Sequence, residues 1–315
     1  MSQRKIILVI LFFISINGFS QEYLFNHYTT VDGLSHNEVR KIVKDTDGFL
    51  WLGTQNGLNR FDGYRFEIFK NRPNDSTSLV GNKIYSLASS KHKLWVGTTN
   101  GISILDTRTL RIISAPEITK TLSSNAVFEI YHDGEENIWI FTGDKNYKIE
   151  GKTLTIKSCL PSYKMVTMAR GEDGYFWIGT DKGLLKYDAN RNVIIKTYNI
   201  GRYDIFSQNQ VYTNDLGEVW TTVGDVLYIY QANKDKFIPM HSSKRLNAIG
   251  EHKSETVLFG SYGNGLLKYE RRSGQFTSII SNPEKLNSLS SDDIYDVFVD
   301  EWIYWSMLTP LKPNQ

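Results

Sequence analysis

The stretch WLGTQNGL at residues 51–58 returns as WVGTTNGI at residues 95–102 and as WIGTDKGL at residues 177–184. Weaker copies of the same phrase begin at Trp139, Trp220 and Leu258, and successive copies start 38 to 44 residues apart. Self-similarity with a period of about 40 residues is typical of a propeller or a solenoid, in which each repeat is one supersecondary unit. The residues inside the repeat decide between these two architectures.

The segments between the copies are rich in β-branched and aromatic residues and are bounded by Asp-Gly, Asn-Gly and Lys-Gly pairs. Such segments predict short strands and tight turns, and none of them carries the apolar stripe of a helix. In the first repeat the predicted strands lie at residues 38–44, 49–54, 58–61 and 64–70. Four antiparallel strands in about 42 residues form one propeller blade. We therefore predict an all-β propeller of four-stranded antiparallel blades, with six full blades and an incomplete seventh.

The predicted propeller occupies residues 21–300, and residues 301–315 depart from the repeat as a divergent or truncated tail. Residues 22–34 resemble the outer strand and exit loop of a blade. We therefore expect residues 23–28 to supply the outer strand of the seventh blade, which would close the ring and remove free sheet edges. The first six blades are expected to end near residues 71, 114, 158, 199, 241 and 281, and the seventh to begin near residue 290.

The inner strands of six of the seven predicted blades carry two apolar residues three positions apart. These pairs are Val39 and Ile42, Ile84 and Leu87, Val127 and Ile130, Met165 and Met168, Leu246 and Ile249, and Ile294 and Val297. Positions i and i+3 of a regular strand point to opposite faces, so the spacing predicts a sheet that is apolar on both faces. A blade between two neighbouring blades needs two apolar faces, whereas a sheet of the alternative fold, a β-sandwich, needs one.

The first 20 residues have the composition of a secretory signal peptide. Arg4 and Lys5 precede an apolar run at residues 6–16 that is too short to span a bilayer, and small residues precede Gln21. We therefore expect cleavage before Gln21 and a periplasmic or secreted mature chain. No later segment predicts a transmembrane helix. The single cysteine, Cys159, rules out an intramolecular disulfide.

The composition argues against several functional classes. The chain has a net charge of +2 and no basic cluster, so we expect no direct binding of nucleic acid. Its six histidines are scattered without a metal-binding spacing, and no nucleotide-binding or nucleophile motif occurs. We therefore predict no metal, no cofactor and no catalytic residue, and we interpret the chain as a protein that is not an enzyme.

The segment DTDGFLWLGTQNGLNRFDG at residues 45–63, together with TTVDGLSHNEV at residues 29–39, resembles the regulator-propeller repeats of bacterial two-component sensors. The resemblance extends from residue 22 to about residue 300. It implies the periplasmic sensor region of a hybrid histidine kinase, which senses oligosaccharides and switches on polysaccharide-utilisation genes. Kinase, receiver and DNA-binding segments expected from that family do not occur in this sequence. The resemblance therefore implies a truncated N-terminal part, and it assigns phosphotransfer to none of these residues.

Ligand-binding residues are expected in the turns between the second and third strands of the blades, because variable loops on a rigid scaffold usually carry recognition. Amide and carboxylate groups beside a tyrosine would suit a sugar. The candidates are Tyr262, Asn264, Asn56, Asn100 and Asp181. Tyr262 and Asn264 rank first because their turn is the enlarged one. For each candidate the alternative is an ordinary polar residue of a hairpin turn.

The expected partner is an oligosaccharide or another small periplasmic ligand, and a homodimer is an open alternative. Two other functions also stay open. The first is an architectural propeller that binds proteins and has no ligand of its own. The second is a secreted glycan-active enzyme, because the turns at residues 47–51 and 173–177 faintly resemble the aspartate boxes of sialidases. A glycosidase needs two carboxylates that converge on the sugar, and such convergence is not visible in a sequence.

Overall fold

Each repeat folds into one four-stranded antiparallel sheet, and the strands of each sheet are consecutive in the chain. The computed structural model describes residues 25–204, 209–243, 245–252, 255–300 and 304–308, the last segment by its backbone. Six four-stranded sheets occur among these residues and form blades 1 to 6. Sheets of consecutive strands are the topology of a propeller and not of a β-sandwich. The predicted all-β propeller is therefore confirmed.

The strands of the six blades have the following bounds. Blades 1 to 3 contain β1 (Val39–Lys44), β2 (Leu50–Thr54), β3 (Gly57–Phe61), β4 (Phe66–Phe69), β5 (Ile84–Ser90), β6 (Lys93–Thr98), β7 (Gly101–Asp106), β8 (Arg111–Ile112), β9 (Glu129–His132), β10 (Asn137–Phe141), β11 (Asn146–Glu150) and β12 (Thr155–Ser158). Blades 4 to 6 contain β13 (Met165–Arg170), β14 (Phe176–Thr180), β15 (Gly183–Asp188), β16 (Val193–Tyr198), β17 (Val211–Thr213), β18 (Val219–Val223), β19 (Val226–Gln231), β20 (Lys236–Ser242), β21 (Leu246–His252), β22 (Thr256–Ser261), β23 (Leu266–Glu270) and β24 (Gln275–Ile279).

Helices are short and lie outside the blades' sheets. The only α-helix in the described part of the chain, α1 (Pro116–Leu122), fills the connection between blades 2 and 3. Two single turns of 3-10 helix lie at Thr30–Asp32 and Ala232–Lys234. Over the described residues, no helix has both the length and the hydropathy that a membrane crossing requires.

A two-stranded sheet lies between blade 6 and blade 1. It pairs β25 (Ile294–Val299) with β26 (Tyr304–Leu308), a strand inside the predicted tail. Residues 23 and 24, and the predicted signal peptide with its cleavage before Gln21, lie outside the described residues. Residues 25–28 form no strand, so the predicted outer strand is wrong for them. The reason is that Phe25 donates its N–H to the carbonyl of Asn287 at 3.0 Å, and the segment follows the connection after blade 6. The predicted incomplete seventh blade is therefore not confirmed.

Seven clusters of buried apolar side chains fill the spaces between neighbouring sheets around the ring. Between blades 1 and 2, for example, Trp51 and Leu58 pack against Ile84 and Leu87. The tryptophans that open the phrases are central to this packing, since each is at most 1% exposed: Trp51, Trp95, Trp139, Trp177 and Trp220. Burial of a large apolar side chain contributes about 1.5–3 kcal/mol. The repeated phrase is therefore the main source of the contacts between blades.

The paired apolar residues of the inner strands lie on the same face of the sheet, not on opposite faces as the spacing suggested. Val39 pairs with Thr54 and Ile42 pairs with Leu52, two positions apart on β2, because Arg40 between them is an extra, bulged residue. A β-bulge of this kind shifts the alternation of side chains by one position. Trp51 supplies the second apolar face. The prediction of two apolar faces was therefore right, but the reason given for it was wrong.

The first glycine of the phrase is required by the close approach of the next blade. A Cβ atom on Gly53 would lie 2.6 Å from Cγ2 of Ile84, and one on Gly260 would lie 2.7 Å from Cγ2 of Ile294. The second glycine, Gly57, has a φ of 129°, in the region that favours glycine. The phrase therefore encodes both the spacing between blades and the hairpin turn.

Replacement of Asp45 by alanine is expected to lower the free energy of unfolding by about 2–3 kcal/mol, because buried donors would lose their acceptor. Asp45 is 6% exposed. Its Oδ1 accepts the N–H groups of Asp47 and Phe49, and its Oδ2 accepts the indole N–H of Trp51 at 2.7 Å. Urea denaturation of Asp45→Ala measures the loss. Asp47→Ala, an exposed aspartate of the same turn, is the control, and equal losses in the two variants would contradict this role of Asp45.

Candidate functional site

The bulges of the inner strands aim a ring of side chains into the central channel. Strand pairing skips Arg40 of β1, and similar register shifts occur at the start of β5, β13, β21 and β25. Each inner strand contributes the residue at the bulge, or at the corresponding position of the repeat, to a cavity of about 430 Å³. We call these seven residues the channel ring: Arg40, Tyr85, Phe128, Val166, Asn209, Asn247 and Tyr295. A cavity of this size is within the usual range for small-ligand sites, about 300–1,000 Å³.

One mouth of this channel is formed by the beginnings of the inner strands and by the turns between second and third strands. The turn residues Gln55, Thr99 and Tyr262 donate their backbone N–H groups to the carbonyls of the residues that precede the inner strands, at 3.1, 3.2 and 3.0 Å. Those preceding residues are Glu38, Lys83 and Arg245. The turns chosen from the sequence therefore lie at the end of the ring where the channel opens. We call this end the channel mouth.

Aromatic and cationic side chains alternate along one side of the channel. The guanidinium carbon of Arg40 lies 5.3 Å from the ring centroid of Tyr85 and 5.7 Å from that of Tyr295. The ring of Phe128 lies 5.0 Å from that of Tyr85, centroid to centroid. Glu38 accepts a hydrogen bond from Arg40 at 2.6 Å. Cations over aromatic faces are attracted by the ring quadrupole, so these contacts hold the cations and the rings together.

The opposite side of the channel is lined by amides. Asn209 is 2% exposed, and its Oδ1 accepts the N–H of Asp204 at 3.2 Å. Its Nδ2 has no hydrogen-bond acceptor among the described residues, and the same is true of Nε of Arg40. Nearly all buried donors in proteins are paired, so two unpaired donors at one cavity favour a ligand with acceptor oxygens.

A charged cluster of three side chains lies in the channel next to the ring. Nζ of Lys41 lies 3.3 Å from Oδ1 of Asp296, and Oδ2 of Asp296 accepts the N–H of Ile42 at 3.0 Å. Burial raises the pKa of the Glu129 carboxyl to about 7; the charge of Lys41 opposes this rise and the charge of Asp296 adds to it. Burial acts to lower the pKa of Lys41, but the carboxylates of Asp296 and Glu129 outweigh burial and raise it.

The five candidate residues from the sequence occupy different environments. Tyr262 lines the cavity, is 45% exposed and lies under the guanidinium of Arg245 at 5.8 Å. Asn264 donates from Nδ2 to Oγ of Ser243 at 3.0 Å, and its N–H donates to Oγ of Ser261 at 3.2 Å. Among the described lining residues, Tyr262 is the only one of the five, and the other three candidates lie in turns without lining the cavity: Asn56, Asn100 and Asp181.

These three turn residues make the contacts of ordinary hairpins. The N–H groups of Asn56 and Asn100 bond to the threonine that ends the preceding strand, at 3.0 and 3.1 Å. Oδ1 of Asp181 accepts the N–H of Lys164 at 2.9 Å. The contacts of Asn56 and Asn100 close their turns, and the contact of Asp181 holds its turn against the residue that precedes β13. A role in ligand binding stays a prediction for each of the five residues.

The channel ring was missed by the sequence analysis because its residues follow no apolar alternation. A signal was nonetheless present. The spacing of three between paired apolar residues is what a bulged strand produces, and the residue that follows the first member of a pair is the bulged one. In β1 this rule selects Arg40 after Val39, and in β5 it selects Tyr85 after Ile84. Among the described residues, no group of three His, Cys, Asp or Glu side chains could hold a metal ion.

The repeat matches a known family. Residues 33–56 match the sequence model of the family described as two component regulator propeller, which confirms the resemblance found in the sequence. Over 66 residues the chain is 46% identical to a protein of Formosa agariphila named histidine kinase P4, a stretch that covers 21% of this chain and 5% of that protein. The match therefore includes only a small part of the larger protein.

Solved structures share the fold over almost the whole chain. An extracellular domain described as part of a hybrid two component system of B. thetaiotaomicron has a TM-score of 0.78 and 24% identity, with 92% of this chain and 41% of that chain covered. A second such domain from the same organism has a TM-score of 0.74 and 19% identity, with 90% and 38% covered. This chain thus spans well under half the length of both domains, and at these identities the likeness shows the fold.

Proposed function

We propose that this chain, a propeller with a two component regulator repeat, is a ligand-sensing and signal-transducing part of a periplasmic or extracellular sensor. The proposed ligand is an oligosaccharide bound at the channel mouth, and the proposed output is control of polysaccharide utilisation. The observation that carries the proposal is the cavity of about 430 Å³ with two donors, Arg40 Nε and Asn209 Nδ2, that lack an acceptor among the described residues. The family match and the shared fold support the sensor class. Removal of a signal peptide before Gln21 belongs to the same proposal.

The ring geometry suggests how binding would be transmitted. Residues from different blades meet at the cavity, so one ligand would contact several inner strands at once. Packed blades resemble a protein core and resist internal change, whereas rigid-body motion of whole domains is a common form of signalling. We therefore propose that the ligand alters how the propeller docks on a neighbouring domain or on a second copy of the chain.

A thermal-shift screen against plant, fungal and host oligosaccharides tests the proposal. A ligand that binds only the folded state stabilises it by about 2.7 kcal/mol at one hundred times its dissociation constant. We expect a selective rise in Tm with at least one oligosaccharide, without release of shorter sugars in a parallel chromatographic assay. A folded protein that responds to no sugar would refute ligand sensing by this chain.

Tyr262→Ala is expected to weaken binding of an oligosaccharide found in that screen by about tenfold, because a stacking surface at the mouth is lost. Asn264→Ala in the same turn is the matched control. Asn264 bonds to Ser243 and does not line the cavity, so its loss should leave the affinity within about twofold. Calorimetric titration of both variants measures the difference. Equal affinities in Tyr262→Ala and the wild type would remove Tyr262 from the site.

Two observations favour other functions. The seven apolar clusters between sheets make a rigid disc, which also suits an architectural propeller that binds proteins. Glu129 and Asp296 are two carboxylates at one cavity, which is the minimum for a glycan-active enzyme. Asp296, however, is held by Lys41 and by the N–H of Ile42. Release of shorter sugars in the chromatographic assay would favour the enzyme.

A further inference from the structure

Two cations at the channel mouth have no carboxylate partner in the described part of the chain. Lys83 and Arg245 precede the inner strands of blades 2 and 6, and both line the cavity. Each lies over an aromatic ring, with Nζ of Lys83 5.3 Å from the centroid of Tyr85 and the guanidinium carbon of Arg245 5.8 Å from that of Tyr262. Neither forms a salt bridge with a described residue, unlike Lys164 at the corresponding position of blade 4, which lies 3.8 Å from Asp144.

Three carboxylates of the cavity and its mouth form no salt bridge with these cations. Asp296 pairs with Lys41 and accepts the N–H of Ile42. Glu38 at the mouth pairs with Arg40 at 2.6 Å. Glu129 gives up its proton only near neutral pH, as described above. The positive charge of Lys83 and Arg245 is therefore available to a ligand.

Two buried hydrogen-bond donors, together with these cations, favour an anionic ligand. Nε of Arg40 and Nδ2 of Asn209 are buried and lack acceptors among the described residues. Arg40 belongs to blade 1, between Lys83 of blade 2 and Arg245 of blade 6 along the arc that also carries Tyr85 and Tyr295. A carboxylate or a sulfate offers several acceptor oxygens and a full negative charge, and hydrogen bonds to such groups are about twice as strong as neutral ones. A sugar hydroxyl accepts hydrogen bonds from fewer of these donors, and it has no negative charge to balance the cations.

We infer that the channel selects an acidic oligosaccharide, one that carries a carboxylate or sulfate group, over its neutral counterpart. This inference rests on the proposed function and names the class of its ligand. The acidic group contacts the cations Lys83, Arg40 or Arg245 at the mouth, and the faces of the sugar rings stack on Tyr262 and its aromatic neighbours. The amide of Asn209 donates to a ring or hydroxyl oxygen deeper in the channel.

The test is calorimetric titration of the full chain with a panel of uronate-bearing and sulfate-bearing disaccharides. Each acidic sugar is paired with its carboxyl-reduced or desulfated counterpart, and the two kinds of pair distinguish the carboxylate from the sulfate. We expect at least one acidic sugar to bind at least about tenfold more tightly than its counterpart. The preference should shrink as sodium chloride is raised, because salt screens exposed charges.

Lys83→Gln and Arg245→Gln are expected to lower the affinity for the acidic sugar about fivefold to tenfold and to leave the neutral counterpart unchanged. The matched control is Lys164→Gln, which removes a cation at the corresponding position that is paired with Asp144 and does not line the cavity. Equal binding of acidic and neutral sugars would overturn this inference and leave the proposed function standing. Absence of binding by every sugar, charged or neutral, would overturn both.

Discussion

Replacement of Asp296 by alanine is expected to lower the free energy of unfolding by about 2–4 kcal/mol, because a half-buried ion pair and a buried hydrogen bond to a carboxylate are lost together. Asp296 is 9% exposed and belongs to β25, whereas both of its partners, Lys41 and the N–H of Ile42, belong to β1. The carboxylate therefore links β25 to blade 1, the contact that joins the two ends of the ring of described sheets. Its loss would leave a buried amide without an acceptor and would weaken the contact between β25 and blade 1.

Denaturant unfolding of Asp296→Ala measures this effect, with Asp300→Ala as the control. Asp300 also joins β25 to β1, through Lys44 at 2.6 Å, but both side chains are about one-third exposed, at 32% and 37%. Exposed ion pairs contribute about 0–1 kcal/mol, so the control should change little. Asp296→Asn keeps an acceptor for Ile42 and should fall between the two. Losses of similar size in the two alanine variants would contradict the role assigned to Asp296.

Replacement of Glu129 by glutamine is expected to stabilise the protein at pH 8 and to have little effect at pH 4.5. The pKa of Glu129 is raised from 4.5 to about 7, first by burial and then by Asp296, against the pull of Lys41. Between these two pH values the folded state keeps a proton that the unfolded state has lost, so stability falls as the pH rises. Each tenfold difference in proton affinity corresponds to about 1.4 kcal/mol. The advantage of glutamine should therefore grow to about 3 kcal/mol above pH 7.

Urea denaturation of the wild type and of Glu129→Gln between pH 4.5 and pH 8 gives this dependence directly. Glu135→Gln is the control on the same blade, since the Glu135 side chain is 61% exposed and pairs only with Arg170 among the described partners. At every pH of the series, the free energy of unfolding of Glu135→Gln should differ from that of the wild type by no more than about 1 kcal/mol, the range for exposed ion pairs. A stability difference for Glu129→Gln that is flat with pH would show that the carboxylate ionises as in solution.

The sequence predicted the strands and limits of the blades, but it did not predict the residues that line the centre of the ring. The tryptophan phrase predicted the number and bounds of the full blades, because buried tryptophans and tight turns are local features that recur with the repeat. The strands β2 and β14 begin within one residue of Trp51 and Trp177. The position of residues 25–28 depended instead on a hydrogen bond between Phe25 and Asn287, far apart in the chain, and no local pattern encodes such a contact.

Part of the candidate site could be predicted from local features of the sequence, and the rest depended on contacts between distant residues. The turn face was found from the sequence because it follows from strand order alone, and Tyr262 on that face lines the cavity. Arg40 and Asn209 could not be placed without the ring, since their meeting at one cavity depends on the closure of blades that are about 170 residues apart in sequence. The bulge that aims Arg40 inward appeared in the sequence only as an unusual apolar spacing.

Three residues of the channel ring line the cavity of the proposed ligand site without contributing to the apolar packing between the sheets. Arg40, Tyr85 and Phe128 belong to none of the apolar clusters between the sheets. Substitutions there change the lining of the channel and leave the tryptophan packing intact. Under the proposed function, such a propeller can acquire new specificities by mutational drift at a few codons, and a library randomised at those codons tests whether its ligand can be changed without loss of the fold.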